Sequence, residues 1–479
     1  MLGKVAAGVV ICLSLVACDG SSDDGAGFPV RRPESSPTSE AGPVIGLVGT
    51  MSGPDGWRGQ DAFEGVDVAI QELNRDSRRS ELPFTLVGLD DEGNGDQAAE
   101  LIARLAESDR TVGIVYAGPP EGLAASEGVL AEAGIPGVLV YGDLYSARLL
   151  RPHLFQVSPP YLWQARRIAD YLLNDRRYEK VGVLAEDSLM GETAISAVRS
   201  ALRDERGRPP VAVTYTPLED DLTDELNRLR RAEVEAVIFH GDPNEATALF
   251  EGVSELDATY VSTEQARTVS LSRRAGARDR RREWRPQIAT FDGAISPFTD
   301  PSGGIPPGTV GSDSYARGAF YLPVPEFEQF RRSYEAWWDQ APTGWQRRSY
   351  EAASLIGWAA RRTEPGDDIA ATLASLEGVR FGGLDVAFGP DDHTSVIPTT
   401  VGLWVVPRSG IDVPERGELP SAMPWVPLSR GFSTGGERTD VLPQDWNHLF
   451  VGSYRPNGPA PRVGAARFGV STTRRDPVH

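Results

Sequence analysis

The chain has 479 residues and a formal net charge of −20, with 68 acidic against 48 basic side chains. This balance argues against nucleic acid or an anionic membrane surface as a partner, because both attract basic proteins. The length is sufficient for two or three domains with sizeable cores. Both cysteines, Cys12 and Cys18, lie near the start, so the folded part is expected to have no disulfide and no cysteine nucleophile or zinc site.

The start of the chain has the order of features found in an export signal. Lys4 precedes an apolar run at 5–16 that is too short to span a membrane, and the sequence Leu-Val-Ala-Cys follows at 15–18. This arrangement resembles the signal peptides of bacterial lipoproteins, which are cleaved before the cysteine. The resemblance implies a signal peptide at 1–17 and lipid on Cys18, because several acyl chains anchor a protein stably. An ordinary secretory signal with an incidental cysteine is the alternative.

Residues 18–42 are rich in Ser, Pro, Gly and acids and have no apolar periodicity, which is typical of a flexible tether. Strands and helices are then predicted in alternation. Strands are predicted at 44–48, 84–91, 111–118 and 135–142, and helices at 60–75, 95–108 and 121–134. This alternation predicts right-handed βαβ units and a parallel sheet.

The same pattern starts again after this first unit. Helices are predicted at 161–176, 192–204 and 222–232, and strands at 180–187, 210–218 and 236–243. An arginine-dense insert at 272–283 follows. We expect it to be a solvated loop, with docking of a partner or an anionic envelope polymer as the alternative.

The last third of the chain returns to helices before its pattern fades. Helices are predicted at 325–340 and 347–362, and a β-rich ending follows from about residue 378 to 407. From 408 to 479, Pro, Gly, Ser and Arg accumulate and no clear periodicity remains. This stretch is interpreted as an irregular C-terminal extension.

Five stretches, in this order, resemble the leucine/isoleucine/valine-type periplasmic binding proteins, the solute-binding components of ABC importers. They lie at 45–74, 89–138, 153–202, 347–362 and 376–393. The resemblance implies an α/β fold of two Rossmann-like lobes with parallel sheets and a three-crossing hinge, the type 1 periplasmic-binding-protein fold. Carried onto this chain, lobe 1 covers 43–157 plus 292–378, and lobe 2 covers 158–291 plus 379–407.

Ligands of open α/β sheets bind beyond the carboxyl ends of the strands, so the loops there supply the candidate site. The candidate ligand-binding residues are Ser52, Trp57, Arg58, Pro120, Glu121, Tyr141, Asp143, Met190, Asp242 and Glu264. Trp57 is expected to form a cleft wall, because an aromatic in a glycine-rich loop has no evident core partner. Ser52 has a helix-entry turn as its alternative role. Glu264 is similar to the acidic residue that binds the ligand's ammonium group in the family.

Two of these loops depart from the family's pattern. Where the family has Gly-Pro-x-Ser-Ser-Gly, this chain has Gly-Pro-Pro-Glu-Gly at 118–122, so the hydroxyl donors for an α-carboxylate are missing. Met190 stands where the family commonly has an aromatic ring. Because several loops offer acids instead, we hypothesise that the ligand is not an ordinary α-amino acid and is cationic or neutral. Acids are abundant in this chain, so their presence in these loops by composition alone is the alternative.

The sequence therefore predicts a lipid-anchored, extracytoplasmic solute-binding protein that captures a small polar ligand for an ABC permease. A ligand-sensing or envelope-regulatory lipoprotein on the same scaffold is the alternative. No GxSxG, HExxH or P-loop motif is present, and the five histidines lack metal-ligand spacing. Hence we do not expect the protein to be an enzyme, and we expect no catalytic residue, metal or cofactor.

The expected location is the outer face of the cytoplasmic membrane. The scarcity of lysine (Lys4 and Lys180 only) is typical of high-G+C genomes such as those of actinobacteria.

Overall fold

The computed structural model describes residues 42–75, 82–218, 221–256, 284–292, 309–314, 325–340, 342, 344–376, 379–381, 384–386, 388–389, 393–396, 401–405 and 426–427. The signal peptide, Cys18, Glu264 and the insert at 272–283 lie outside these residues, as does the C-terminal extension except for 426–427. None of the helices in this part of the chain combines the length and apolarity that crossing a bilayer requires.

Strands and helices alternate through most of the described chain, as the sequence predicts. The strands are β1 (Val44–Gly49), β2 (Thr85–Asp90), β3 (Thr111–Ala117), β4 (Gly137–Leu139), β5 (Leu154–Gln156), β6 (Val181–Glu186), β7 (Val211–Tyr215), β8 (Ala236–His240), β9 (Gln287–Thr290), β10 (Val310–Ser314), β11 (Val379–Phe381), β12 (Leu384–Val386), β13 (Val401–Val405) and β14 (Val426–Pro427). The helices are α1 (Gly56–Arg75), α2 (Gly95–Ala106), α3 (Pro120–Ala125), α4 (Glu127–Ala133), α5 (Tyr161–Asp170), α6 (Leu189–Asp204), α7 (Thr223–Arg231), α8 (243–256), α9 (Pro325–Trp338), α10 (Gly344–Ala360) and α11 (Ile369–Ala374). Helix α5 continues as a π turn at Tyr171–Asp175.

The first sheet, with the helices that pack on it, forms lobe 1. Its five strands are parallel in the order β2-β1-β3-β4-β5. All six residues of β1 are buried, because helices cover both faces of the sheet. Ile45 and Val115 pack on the face toward α1 and α10, whereas Val48, Ile114 and Leu139 pack on the face toward α2, α3 and α4.

The second sheet, with its helices, forms lobe 2. Its strand order is β14-β13-β10-β9-β8-β6-β7, and the strands from β10 to β7 are parallel. Val183 and Ile238 pack on the face toward α5 and α6, and Leu184 and Phe239 on the face toward α7 and α8. Each lobe is therefore a doubly wound α/β unit, which confirms the predicted fold class.

The lobes are joined by three crossings, but two crossings lie later in the chain than the predicted boundaries. Val310–Ser314 was assigned to lobe 1, yet it pairs with β9 and β13 in the second sheet. Residues 393–395 were assigned to lobe 2, yet Thr394 forms a parallel bridge with Gln156 at the edge of the first sheet. The physical reason is that strand pairing is a long-range contact, and these short, polar or glycine-containing segments have no apolar alternation to reveal it.

One strand belongs to the stretch that was interpreted as irregular. Val426–Pro427 pairs antiparallel with β13 and lengthens the second sheet by a two-residue edge strand. The extension predicted from 408 onward thus includes a piece of lobe 2.

Candidate interlobe ligand site

The carboxyl ends of the central strands of the two sheets meet at one seam, the interlobe cleft. Two ion pairs cross it from lobe 1 to lobe 2. Arg58 Nη2 lies 3.7 Å from Asp242 Oδ2, and Arg348 Nη2 lies 2.5 Å from Asp292 Oδ2. Because Asp242 follows β8 and Asp292 follows β9, these pairs place the cleft where ligands of open α/β sheets bind.

Three aromatic side chains of lobe 1 form one wall of the cleft, which we call the aromatic cluster. Trp57 lies in the first turn of α1, Tyr141 follows β4, and Trp345 begins α10. The ring centroids are 5.9 Å apart for Trp57–Tyr141, 5.6 Å for Trp57–Trp345 and 5.1 Å for Tyr141–Trp345, in edge and tilted orientations. Trp57 also packs against the hydrophobic core of lobe 1, which includes Tyr141 and Trp345, although no core partner is evident from the sequence. Contact of Trp57 with a ligand stays a prediction.

The hydroxyl of Tyr141 is a polar group without a hydrogen-bond partner in the described part of the chain. The side chain is only 7% exposed, and burial raises its pKa well above the ordinary value, so the phenol keeps its proton. Asp61, Arg348 and Arg58 lie close enough for their charges to act on this hydroxyl. A buried, unpartnered hydroxyl costs free energy that a ligand can recover.

Arg58 lies at the centre of the seam. Its guanidinium carbon is 5.5 Å from the centre of the Trp57 ring, and Nη2 is 3.7 Å from both Asp55 Oδ1 and Asp242 Oδ2. These distances are too long for hydrogen bonds. Burial alone would lower the pKa of Arg58, but Asp55 and Asp242 raise it on balance, so the group is charged.

Asp242 caps the N-terminus of helix α8. Its carboxylate also faces Arg58 across the cleft from lobe 2. Its Oδ1 accepts hydrogen bonds from the backbone N–H groups of Asn244 (2.8 Å) and Glu245 (3.1 Å). Burial, and then repulsion by Glu245, raise the pKa of Asp242 to about 6. The Glu245 carboxylate accepts hydrogen bonds from the Tyr215 hydroxyl, the Asp242 N–H and the Leu218 N–H.

Asp292 anchors a second polar network near the hinge. Its Oδ1 accepts from Gln164 Nε2 at 2.8 Å and its backbone N–H donates to Gln164 Oε1 at 2.9 Å. Ser312 donates to the same Gln164 oxygen. Arg348 completes the network, and its guanidinium lies 4.9 Å from the centre of the Trp345 ring.

His240, the last residue of β8, forms part of the lobe 2 wall. It is 6% exposed and its ring lies 4.8 Å from that of Tyr161 and 5.7 Å from that of Phe291. Burial lowers its pKa to about 4, so the imidazole is neutral at pH 7. Its Nδ1 has no hydrogen-bond partner among the residues that the structure describes.

The structure brings six of the candidate residues to the seam: Trp57, Arg58, Tyr141, Asp242, Pro120 and Met190. The last two meet at Gly142, whose φ is +84°. A Cβ atom there would lie 2.7 Å from Pro120 Cγ and 3.5 Å from Met190 Sδ, so the lobes touch at this point.

Three other candidates have local roles or stand in solvent. Asp143 was expected to face the ligand, but it is fully buried and caps α5: Oδ2 accepts from Tyr161 N–H at 2.6 Å and Oδ1 from Ser146 N–H at 2.9 Å. Ser52 is exposed and hydrogen-bonds to Asp90 within lobe 1. Glu121 is exposed in the first turn of α3. No set of three or more His, Cys, Asp and Glu side chains is arranged for a metal ion in the described ranges.

Comparison with known proteins supports the fold and the family. Residues 44–276 match the family model for periplasmic binding proteins. Over these residues, which are just under half of the chain, the sequence is similar to the periplasmic binding protein family. A protein of Pseudomonas aeruginosa named amino acid binding protein is 25% identical over 239 residues, which are 49% of this chain and 63% of that protein. The match thus spans less than two thirds of the relative's length.

Several solved structures of periplasmic binding proteins are similar to the structure of this chain. A type 1 periplasmic binding protein from Bordetella pertussis has a TM-score of 0.63 and 18% identity, covering 79% of this chain and all of that one. A branched-chain amino acid transporter substrate-binding protein from Streptococcus pneumoniae, solved in complex with isoleucine, has a TM-score of 0.58 and 16% identity, covering 81% of this chain and all of that one. At these identities the likeness shows the type 1 periplasmic-binding-protein fold.

Proposed function

We propose that this periplasmic binding protein captures a small polar ligand between its lobes and presents it to an ABC importer. The observation that carries the proposal is the buried Tyr141 hydroxyl, which lies in an aromatic wall at the seam of the lobes and has no hydrogen-bond partner in the described ranges. Small-molecule sites combine apolar walls with a few convergent polar groups, and this cleft has both. The names of the relatives, which refer to amino acids and transport, are consistent with this role.

A thermal-shift screen of the full chain against amino acids, organic acids, amides and amines tests ligand capture. A ligand present at a hundred times its Kd stabilises a protein by about 2.7 kcal/mol, so a hit is expected to raise Tm by several degrees. Trp345→Ala is expected to abolish the shift, and Trp337→Ala, at a half-exposed position on α9, to preserve it. Saturable binding of a protein and of no small molecule would contradict the proposal and favour the regulatory alternative.

We also propose that the chain is tethered to the outer face of the membrane by lipid on Cys18. Export and acylation in a bacterial host are expected to place the protein in the membrane fraction. Cys18→Ser is expected to release it and to abolish labelling by a radioactive fatty acid, whereas Cys12→Ser in the apolar run is expected to change neither. Labelling that survives Cys18→Ser would contradict the anchor.

A further inference from the structure

The hydrogen bonds of the cleft walls divide the polar and charged groups of the cleft into two classes. The first class is already paired within the protein. The Asp242 carboxylate caps α8, the Glu245 carboxylate accepts three hydrogen bonds, and the Asp292 carboxylate holds Gln164 and Arg348. Glu186 accepts from Ser188 and Asp61 from Gln346. Of the acids that the sequence offers as cation ligands, Asp242 and Asp143 therefore have structural partners. Glu121 is exposed in α3, and Glu264 lies outside the described residues.

The second class consists of donors that make no hydrogen bond to another described residue. The guanidinium of Arg58 carries five N–H groups, and its two acidic neighbours stay at 3.7 Å, outside hydrogen-bond distance. The Tyr141 hydroxyl likewise has no partner among the described residues, and Tyr141 is only 7% exposed. Both groups border the Trp57 ring. A ligand that satisfies them must supply hydrogen-bond acceptors, and carboxylate oxygens are the strongest of these for a guanidinium group.

Charge leads to the same conclusion. Asp55 and Asp242 keep Arg58 ionised and hold it in the seam without using its N–H groups. A cationic ligand in this place would be repelled by Arg58, and the Asp242 and Asp292 carboxylates are already hydrogen-bonded. Asp55 Oδ1 accepts no hydrogen bond from the described residues, but Arg58 at 3.7 Å balances its charge. A carboxylate would gain the planar, two-pronged pairing that guanidinium groups provide.

We propose that the ligand is a small organic anion whose carboxylate-type group binds the Arg58 guanidinium and the Tyr141 hydroxyl, while its apolar part packs on Trp57 and Trp345. This inference rests on the proposed function and specifies its ligand class. It also explains how a carboxylate can bind although the family's serines are missing at 120–121. Arg58, at the end of the first loop, supplies the hydrogen-bond donors that those serine hydroxyl groups would have supplied. It reverses the charge that the acidic loops suggest from sequence alone.

Matched probes test the inference on the full chain by titration calorimetry at constant ionic strength. The probes are 4-methylpentanoate, 3-phenylpropionate and L-leucine, each paired with its primary amide, together with 3-phenylpropylammonium as a cation of similar shape. Each amide keeps the size of its acid and removes the charge. We expect at least one acid to bind at least about tenfold more tightly than its amide, in line with a charge-assisted hydrogen bond, and the cation not to bind.

Variants separate Arg58 from the rest of the cleft. Arg58→Gln is expected to reduce the preference for acid over amide to about one, Arg58→Lys to leave an intermediate preference, and Tyr141→Phe to weaken acid binding severalfold. Arg208→Gln, at an exposed ion pair with Glu179, is the matched control and should leave all affinities unchanged. Unchanged Tm values for the Arg58 variants would show that the fold is intact.

Two results overturn the inference, and they are distinguishable from failure of the proposed function. Equal binding of an acid and its amide, or tighter binding of the cation, overturns the ligand class while ligand capture stands. Acid binding that is unaffected by Arg58→Gln overturns the role of Arg58. If no probe and no compound of the thermal-shift screen binds, the proposed function falls and this inference falls with it.

Discussion

His240 and Asp242 are two residues apart, and burial shifts their pKa values in opposite directions. The pKa of His240 falls to about 4, whereas that of Asp242 rises to about 6. In both cases the buried environment favours the neutral form. These shifts make opposite contributions to the dependence of stability on pH.

We expect the free energy of unfolding of His240→Gln to fall less at acid pH than that of wild type. The unfolded chain takes up a proton on His240 near pH 6.5, while the folded chain resists it down to about pH 4, with Asp292 and Arg58 as the charged neighbours. The histidine's contribution is therefore fully present above pH 6.5 and is lost as pH falls to about 4, by up to about 3 kcal/mol. Urea unfolding between pH 4 and 7 measures it as the difference in slope between wild type and variant.

Asp242→Asn is expected to change the slope of the free energy of unfolding against pH in the opposite direction to His240→Gln. The folded protein holds the Asp242 proton up to about pH 6, and the unfolded chain releases it near pH 4. Stability from this group is thus present below about pH 4 and is lost as pH rises to about 6. The asparagine oxygen can still cap α8, so the variant should be at least as stable as wild type at pH 7. A variant and a wild type with parallel pH profiles would contradict the shift.

The contact between helices α1 and α10 depends on a glycine. A Cβ atom at Gly65 would lie 2.1 Å from the backbone oxygen of Gln346 and 3.0 Å from Ser349 Cβ. We expect Gly65→Ala to destabilise the protein by about 1–3 kcal/mol or more, because the two helices must move apart. The aromatic cluster would be disturbed as well, since Trp57 and Trp345 belong to these helices.

Gly128→Ala is the matched control for this substitution. Gly128 lies in α4 and is exposed, and no atom of the described residues lies within 4 Å of its Cβ position. Alanine there should stabilise the protein by about 0.5–1 kcal/mol, because glycine loses more backbone entropy in a helix. Both values follow from urea denaturation at pH 7. Equal effects of the two substitutions would refute the close helix contact.

Helices and strands with a clear hydrophobic periodicity could be predicted from the sequence. The long-range contacts between these elements could not. The buried run of β1 and the amphipathic α2 lie where the pattern places them. β10 was missed because Val-Gly-Ser-Asp-Ser has no apolar alternation. In the site, Trp57 and Asp242 could be found from their loops, but Arg348 and Asp292 lie in no strand-end loop that was considered. Asp143 was misjudged because its partner, the N–H of Tyr161, is eighteen residues away.

At the scale of the whole molecule, the two lobes are held together by contacts between distant parts of the sequence. Arg348 and Asp292 belong to different lobes, and Gln164 joins the same network from α5. The Arg58–Asp242 pair also crosses between the lobes, at 3.7 Å. A ligand that bridges the lobes would add to these contacts, and closure of this kind is a hinge motion.

The Arg348–Asp292 pair gives the test of this coupling. Both side chains are almost fully buried, with 3% and 5% exposure, so Arg348→Met leaves a buried carboxylate without its counter-ion. The cost is expected to be about 3–5 kcal/mol in the free energy of unfolding. Arg166→Met breaks the exposed pair with Asp204, whose side chains are 42% and 45% exposed, and should cost no more than about 1 kcal/mol. Small-angle scattering should show a larger radius of gyration for Arg348→Met alone, because the lobes separate. If the two variants lose equal stability and keep equal radii, the pair does not couple the lobes.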